Sequence, residues 1–203
     1  MTGQVDFDLL TIGHSNLPAE SFLALVQGAG VTAIADVRSV PFSRRFPWFS
    51  APNLSARLQG AGIAYLPFGD ALGGRPRDPA FYCDGVADYE RMAAEPQFRA
   101  GLDRLGDAIG RFRLCVMCAE REPLDCHRCL LVARALAQRG LSLGHILLDG
   151  TIESHLATEE RLLGRAGGSN DLFGGRAEAL AQAYRRRAAK VAARFKVELR
   201  GQF

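Results

Sequence analysis

The chain has 203 residues, 48% of them apolar, and a formal net charge of +3. That apolar content excludes a globally disordered chain, and the length suits one domain plus an appendage. No apolar run reaches the ~20 residues a membrane span needs, and the opening MTGQVDFDLL lacks the basic start and apolar core expected of a secretory signal.

Asp8 to Gly13 reads as a buried strand that ends in a turn at His14-Ser15-Asn16. Pro18 sits where helices start, and Ala19 to Gly28 has helical spacing. Val31 to Val37 is the second strand. Arg38 to Ser50 is an irregular loop in which Arg44 and Arg45 interleave with Phe42, Phe46, Trp48 and Phe49. Asn53 is expected to cap a short helix ending at Gly60 or Gly62. Ile63 to Leu66 is a third strand, and Pro67 to Pro79 a long loop around Gly73-Gly74-Arg75. Two helices broken at Pro96 fill Asp84 to Gly110. Phe112 to Cys118 is a fourth strand, Asp125 to Gln138 a helix stopped by Gly140, and His145 to Leu148 a fifth strand leading to Asp149-Gly150. Ala166 to Gly175 predicts a flexible linker, and Arg176 to Lys196 a basic helix.

Alternating strands and helices imply parallel pairing, and strands apolar throughout suit a sheet covered on both faces. The expected fold is therefore a three-layer α/β domain: a mostly parallel open sheet flanked by helices over residues 6–155. Residues 156–203 form a C-terminal extension with the linker and basic helix. In such sheets ligands bind beyond the carboxyl ends of the strands. Polar residues collect there: His14-Ser15-Asn16 after the first strand, Asp36 and Arg38 after the second, Cys118 and Glu120 after the fourth.

Cys126-His127-Arg128-Cys129 heads the next helix, where exposed N–H groups favour anions and thiolates. Cys115-x-x-Cys118 and Cys126-x-x-Cys129 resemble two pairs of zinc ligands. An offset of three on a strand puts Cys115 and Cys118 on opposite faces, however, which argues against that site. Cys126 and Cys129 share a helix face as redox dithiols do, although Cys129 also suits a core position. Cys126 near Arg128 suits an activated thiol. No Arg stands six residues after Cys118 or Cys126, so a Cys-x5-Arg phosphatase loop is not supported. The odd count of five cysteines points to reduced thiols in a cytoplasmic protein.

TIGHSN, DVRSVPFSRR, LGG, CVMCAE-x-x-P-x-x-CHR and HI-x-x-DG occur in this order, and the chain resembles the family "domain of unknown function 488" over about residues 9 to 155. The resemblance implies a three-layer α/β fold and carries positions rather than a reaction. It extends to the tail, through Asp171-Leu172-Phe173, Ala183-Tyr184 and Lys190-Val191-Ala192.

The expected function is that of a transferase or hydrolase acting on an anionic, phosphorylated or nucleotide-like substrate. His14, Glu120, Cys126 and His127 are the expected catalytic residues. Ser15, Asp36, Arg38, Arg44, Gly73, Gly74, Cys118 and Arg128 are expected to bind the anion. No metal or cofactor is expected, and no G-x-G-x-x-G follows the first strand. One alternative is a nucleic-acid-binding accessory protein using the Arg/aromatic loop and the basic C-terminal helix. Another is a thiol redox protein centred on Cys126. No membrane partner is expected.

Overall fold

The computed structural model of the protein describes residues 6–166 and 175–194. The first strand, β1 (Leu9–Gly13), is buried along its whole length. Helix α1 (Ala19–Gly28) follows with Pro18 as its N-cap, and its Phe22 and Val26, one turn apart, face the sheet. Then come β2 (Ala33–Asp36), α2 (Ala51–Gly60), β3 (Ala64–Pro67) and the single-turn α3 (Gly69–Leu72). A small hairpin, β4 (Tyr82–Cys83) with β5 (Val86–Ala87), precedes α4 (Tyr89–Ala94) and α5 (Pro96–Ile109). Strand β6 (Leu114–Cys118) leads through a tight turn to a π-helical segment, Arg128–Ala133, and α6 (Arg134–Ala137). Strands β7 (Leu143–Ile146) and β8 (Ile152–Ser154), then α7 (His155–Arg165) and α8 (Arg176–Val191), complete the described chain.

The sheet runs in the order β3-β2-β6-β1-β7-β8. Its pairs are parallel except β7 with β8, so the fold is the three-layer, mostly parallel α/β arrangement. One apolar cluster joins Phe22, Val26, Leu54 and Leu58 of α1 and α2 to Leu10, Ile12 and Cys115. The other joins Leu102 and Leu105 of α5, Leu130 of the π-helical segment and Leu162 of α7 to Val116 and Cys118. Cys115 and Cys118 thus lie in the cores on opposite faces of the sheet, as the strand period requires.

Several expected elements are corrected. Asn53 does not cap α2: the cap position is Ser50, Pro52 sits inside the first turn, and Asn53 donates instead to the Pro47 carbonyl at 2.8 Å. The loop after Pro67 contains α3. The segment from Asp84 opens as a hairpin, because Gly85 takes a left-handed conformation (φ +73°), and helix begins only at Tyr89. The helix expected from Asp125 begins at Arg128, since Cys126 is extended (φ −133°, ψ 139°). His145 lies inside β7, not at its start. Residues 167–174 of the expected linker and 195–203 of the basic segment lie outside the described residues. No described helix is long and apolar enough to cross a membrane.

Helices α7 and α8 pack on the same face as α5, burying Leu162, Ala183 and Tyr184 in its core. The arginines of α8 find acidic partners within the chain: Arg176 pairs with Glu160, Arg185 with Glu90, and Arg187 with Asp125. A buried polar chain ties these helices to the sheet. Thr11 Oγ1 meets His145 Nδ1 at 2.7 Å, His145 Nε2 meets His155 Nδ1 at 3.0 Å, and His155 Nε2 meets the Tyr184 hydroxyl at 3.1 Å. That hydroxyl donates to Glu159 at 2.9 Å. Burial lowers His155 from 6.5 to about 4 and holds His145 well below its usual value, so both rings are neutral. The unfolded chain therefore binds protons that the folded chain refuses. The stability linked to His155 is full above pH 6.5 and is lost as pH falls through about 4. Thermal melts across this range should show a loss on the order of 3 kcal/mol from this group, and His155→Gln should flatten the profile. An unchanged profile in that variant would contradict the assignment.

Candidate functional site

Adjacent strands β1 and β6 send the chain to opposite faces of the sheet, β1 into α1 and β6 into the π-helical segment. A crevice opens where neighbouring strands diverge in this way. The exits of β1, β2 and β6 are stitched together there. His14 N–H donates to Cys118 O at 2.9 Å, Ser15 N–H to Ala119 O at 2.8 Å, and Val37 N–H to Met117 O at 3.1 Å. Ser15 has a positive φ of 48°, an uncommon conformation for a residue with a side chain, and it turns the chain sharply out of β1. Gly13 allows the close approach of the Glu120 strand end: a Cβ there would lie 1.8 Å from the Glu120 carbonyl oxygen.

Four of the expected residues meet in one cluster. Cys118, Glu120, Cys126 and His127 place a donor atom each within 4.8 Å of all the others. Glu120 Oε2 accepts from Cys118 Sγ at 3.0 Å and from Cys126 Sγ at 2.9 Å. His127 Nε2 lies 2.9 Å from the Val37 carbonyl, so that nitrogen carries the proton, and Nδ1 faces Cys118 Sγ at 3.5 Å. Gly74 seats the ring, because a Cβ on it would stand 2.5 Å from His127 Cγ. Burial raises the Cys118 thiol, and the neighbouring Cys126 sulfur adds to this. Burial works the same way on Cys126, but the Cys118 hydrogen bond and the Arg128 charge outweigh it and bring that thiol well below its usual value. Burial, and then Cys126, raise the Glu120 carboxyl. Burial opposes protonation of His127, yet the Cys126 and Glu120 charges raise it overall.

A second group stands beside the first. Arg38 grips Asp36, with Nε 2.9 Å from Oδ1, and Tyr65 donates to Asp36 Oδ2 at 2.8 Å. Arg38 Nη1 also donates to His14 Nε2 at 3.3 Å, while His14 Nδ1–H donates to the Ser15 carbonyl at 2.9 Å. The His14 ring stacks on Phe49 with centroids 4.0 Å apart. Burial, then the Arg38 charge, lower His14 to about 4. The imidazole is neutral, and both of its nitrogens are engaged.

Two lobes open over these groups. The first, about 340 Å³, is lined by Gly74, Arg75, Tyr89, Cys118, Glu120 and His127, among others, with Val191 and Ala193 from the α8 end. The second, about 450 Å³, is lined by His14, Ser15, Asn16, Arg45, Phe46 and Arg121. Arg38, Val40, Phe42, Ala119 and Glu120 belong to both.

The remaining expected residues sit elsewhere. Arg128 is wholly buried, its Nη groups donating to Glu120 O at 2.6 Å and Arg121 O at 3.0 Å. It braces the loop beneath Glu120. Arg44 is exposed on its loop, and its neighbour Arg45 is the one that lines the second lobe. Gly73 ends α3 against Ser39. Phe49, Tyr65 and Tyr89 are neighbours of the site; the aromatic loop signals Phe49 and the GI-x-Y pattern of the third strand signals Tyr65, while Tyr89 has no sequence signal.

No curated protein and no solved structure matches the chain. A family model described as Domain of unknown function DUF488 matches residues 18–135, more than half of the chain and the span that holds Arg38, Gly74, Cys118, Glu120, Cys126 and His127. The chain belongs to that family.

Proposed function

We propose that the protein is a hydrolase or group transferase acting on an anionic, phosphorylated or nucleotide-like substrate in the two-lobed cleft. The observation that carries the reading is the place of Glu120: its carboxyl group is shared by both lobes and lies 3.0 Å and 2.9 Å from two sulfurs. The second lobe sets Arg45 and Arg121, both exposed, against Glu120 alone, while the charge of Arg38 is answered by Asp36. The anionic end of the substrate lies there, beside His14, Ser15 and Asn16. The reacting bond then reaches the first lobe, beside Cys118, Glu120 and His127.

Glu120 is the proton-transferring group in this reading. Cys126, 1% exposed behind the cleft wall, acts as a positioning residue that holds Glu120 in place. Arg38, locked by Asp36, presents a fixed guanidinium edge to both lobes, a preorganised partner for charge on the substrate. Arg128 and Gly74 brace the loop and ring behind these groups.

Three esters test the reading: p-nitrophenyl acetate, p-nitrophenyl phosphate and bis(p-nitrophenyl) phosphate. Cleavage is expected of the phosphoesters in preference to the neutral acetate. The double variant Arg45→Glu/Arg121→Glu should raise KM about tenfold or more, since hydrogen bonds to charged groups contribute ~1.5–3 kcal/mol, with kcat nearly unchanged. Preference for the acetate, or an unmoved KM, would count against an anionic substrate.

A further inference from the structure

Among the described residues there are two clusters of metal-ligating side chains, one wholly buried and one reaching solvent at Glu120, and they differ in what their donor atoms are doing. In the Cys129, His145 and His155 cluster, the ring nitrogens are engaged by Thr11, by one another and by Tyr184. In the Cys118, Glu120, Cys126 and His127 cluster, the donor atoms converge on one another. We propose that this second set binds a single divalent transition-metal ion of the zinc class. The proposal rests on the enzyme reading above and places the ion in the same cleft, with Glu120 ligating through the Oε2 that faces both sulfurs and keeping Oε1 for proton transfer.

Size supports it. Bonds of ~2.3 Å to sulfur and ~2.0–2.2 Å to nitrogen and oxygen make a tetrahedron with edges of about 3.3–3.8 Å. The measured edges are 2.9 Å from Glu120 to Cys126, 3.0 Å from Glu120 to Cys118 and 3.5 Å from Cys118 to His127, with the rest inside 4.8 Å. Changes of up to about 1 Å in these separations turn mutual hydrogen bonds into ligand contacts.

The surroundings support it independently. A metal-binding histidine donates its distal N–H to a backbone carbonyl or carboxylate, which fixes the tautomer and aims the other lone pair. His127 does this through Nε2 to Val37, and Gly74 blocks the ring from behind. Arg128 is a buried cation without a carboxylate partner among the described residues. A divalent ion with two thiolates and one carboxylate carries one net negative charge, which balances that guanidinium. Two sulfurs and an imidazole favour zinc over magnesium or calcium. The cleft gives the ion an entry path past Cys118, Glu120 and His127, and Glu120, facing solvent, marks the exchangeable corner.

The test is an anaerobic titration of the reduced, chelator-treated full chain with Co²⁺. Tetrahedral ligand-field bands and thiolate-to-cobalt charge-transfer bands should saturate at one equivalent and vanish when Zn²⁺ is added. The charge-transfer bands should be lost in Cys118→Ala/Cys126→Ala and retained in Cys115→Ala and Cys129→Ala. Glu120→Ala, at the cleft, should keep the charge-transfer bands and weaken affinity about tenfold or more. Absence of the charge-transfer bands in the wild-type chain overturns the site without reference to any variant, and so does their survival in the double variant. A chain that cleaves phosphoesters but gives no cobalt spectrum loses the metal and keeps the enzyme reading. One that binds cobalt through these thiols but cleaves none of the esters does the reverse.

Discussion

Glu120→Gln is expected to lower phosphoester turnover by about 10²–10⁴-fold, the range for loss of a positioned acid–base group. The thermal midpoint should move by no more than about 4 °C, the response of a chain this long to ~1 kcal/mol. The two expectations separate because the amide keeps the volume and shape of the carboxyl and can still meet the two sulfurs now 2.9 Å and 3.0 Å away. It cannot take up and release a proton. A variant retaining at least half of the wild-type rate would remove Glu120 from the chemistry. A collapsed midpoint would instead make Glu120 a structural keystone of the thiol cluster.

Gly13→Ala is expected to destabilise the fold on the order of 4 kcal/mol, at the exceptional end for one substitution. The new methyl would lie 1.8 Å from the Glu120 carbonyl oxygen and 2.9 Å from Arg128 Nη1. Neither neighbour is free to yield. The carbonyl accepts Arg128 Nη1, and the strands on either side are held by the β1–β6 ladder. Relief therefore requires parting the strand exits that build the crevice. Urea unfolding would measure the loss, and a midpoint equal to wild type would show that the strand ends separate freely.

The order of strands and helices was legible because periodicity and punctuation agree: Pro18 and Gly28 bracket α1, and Pro96 opens α5. Strand β8 was not, since three residues, Ile152–Ser154, show no alternation that marks them as paired. The late helix start at Arg128 was hidden for a different reason. The apolar spacing from Leu130 onward suits an α-helix, but the extended Cys126 and the π-turn are fixed by the packing of His127 and Arg128, not by local propensity. At the site, the residue types and their gathering at the strand ends could be read directly. Direction could not. Arg128 points into the protein to hold two carbonyls, and of the two exposed arginines Arg44 and Arg45 it is Arg45 that lines the cleft, because an irregular loop has no period from which to infer a face. The four-Cys zinc reading fails on strand parity, yet that argument is silent about a mixed set drawn from both sides of the turn.

The cleft wall also ties residues far along the chain to the site. Val191 and Ala193 line the first lobe together with Arg38 and Val40, and Ala193 O accepts the N–H of Ala87 at 2.9 Å. The far end of the described chain therefore completes the wall beside Cys118 and His127, and shortening the chain before Val191 would leave the first lobe without that side.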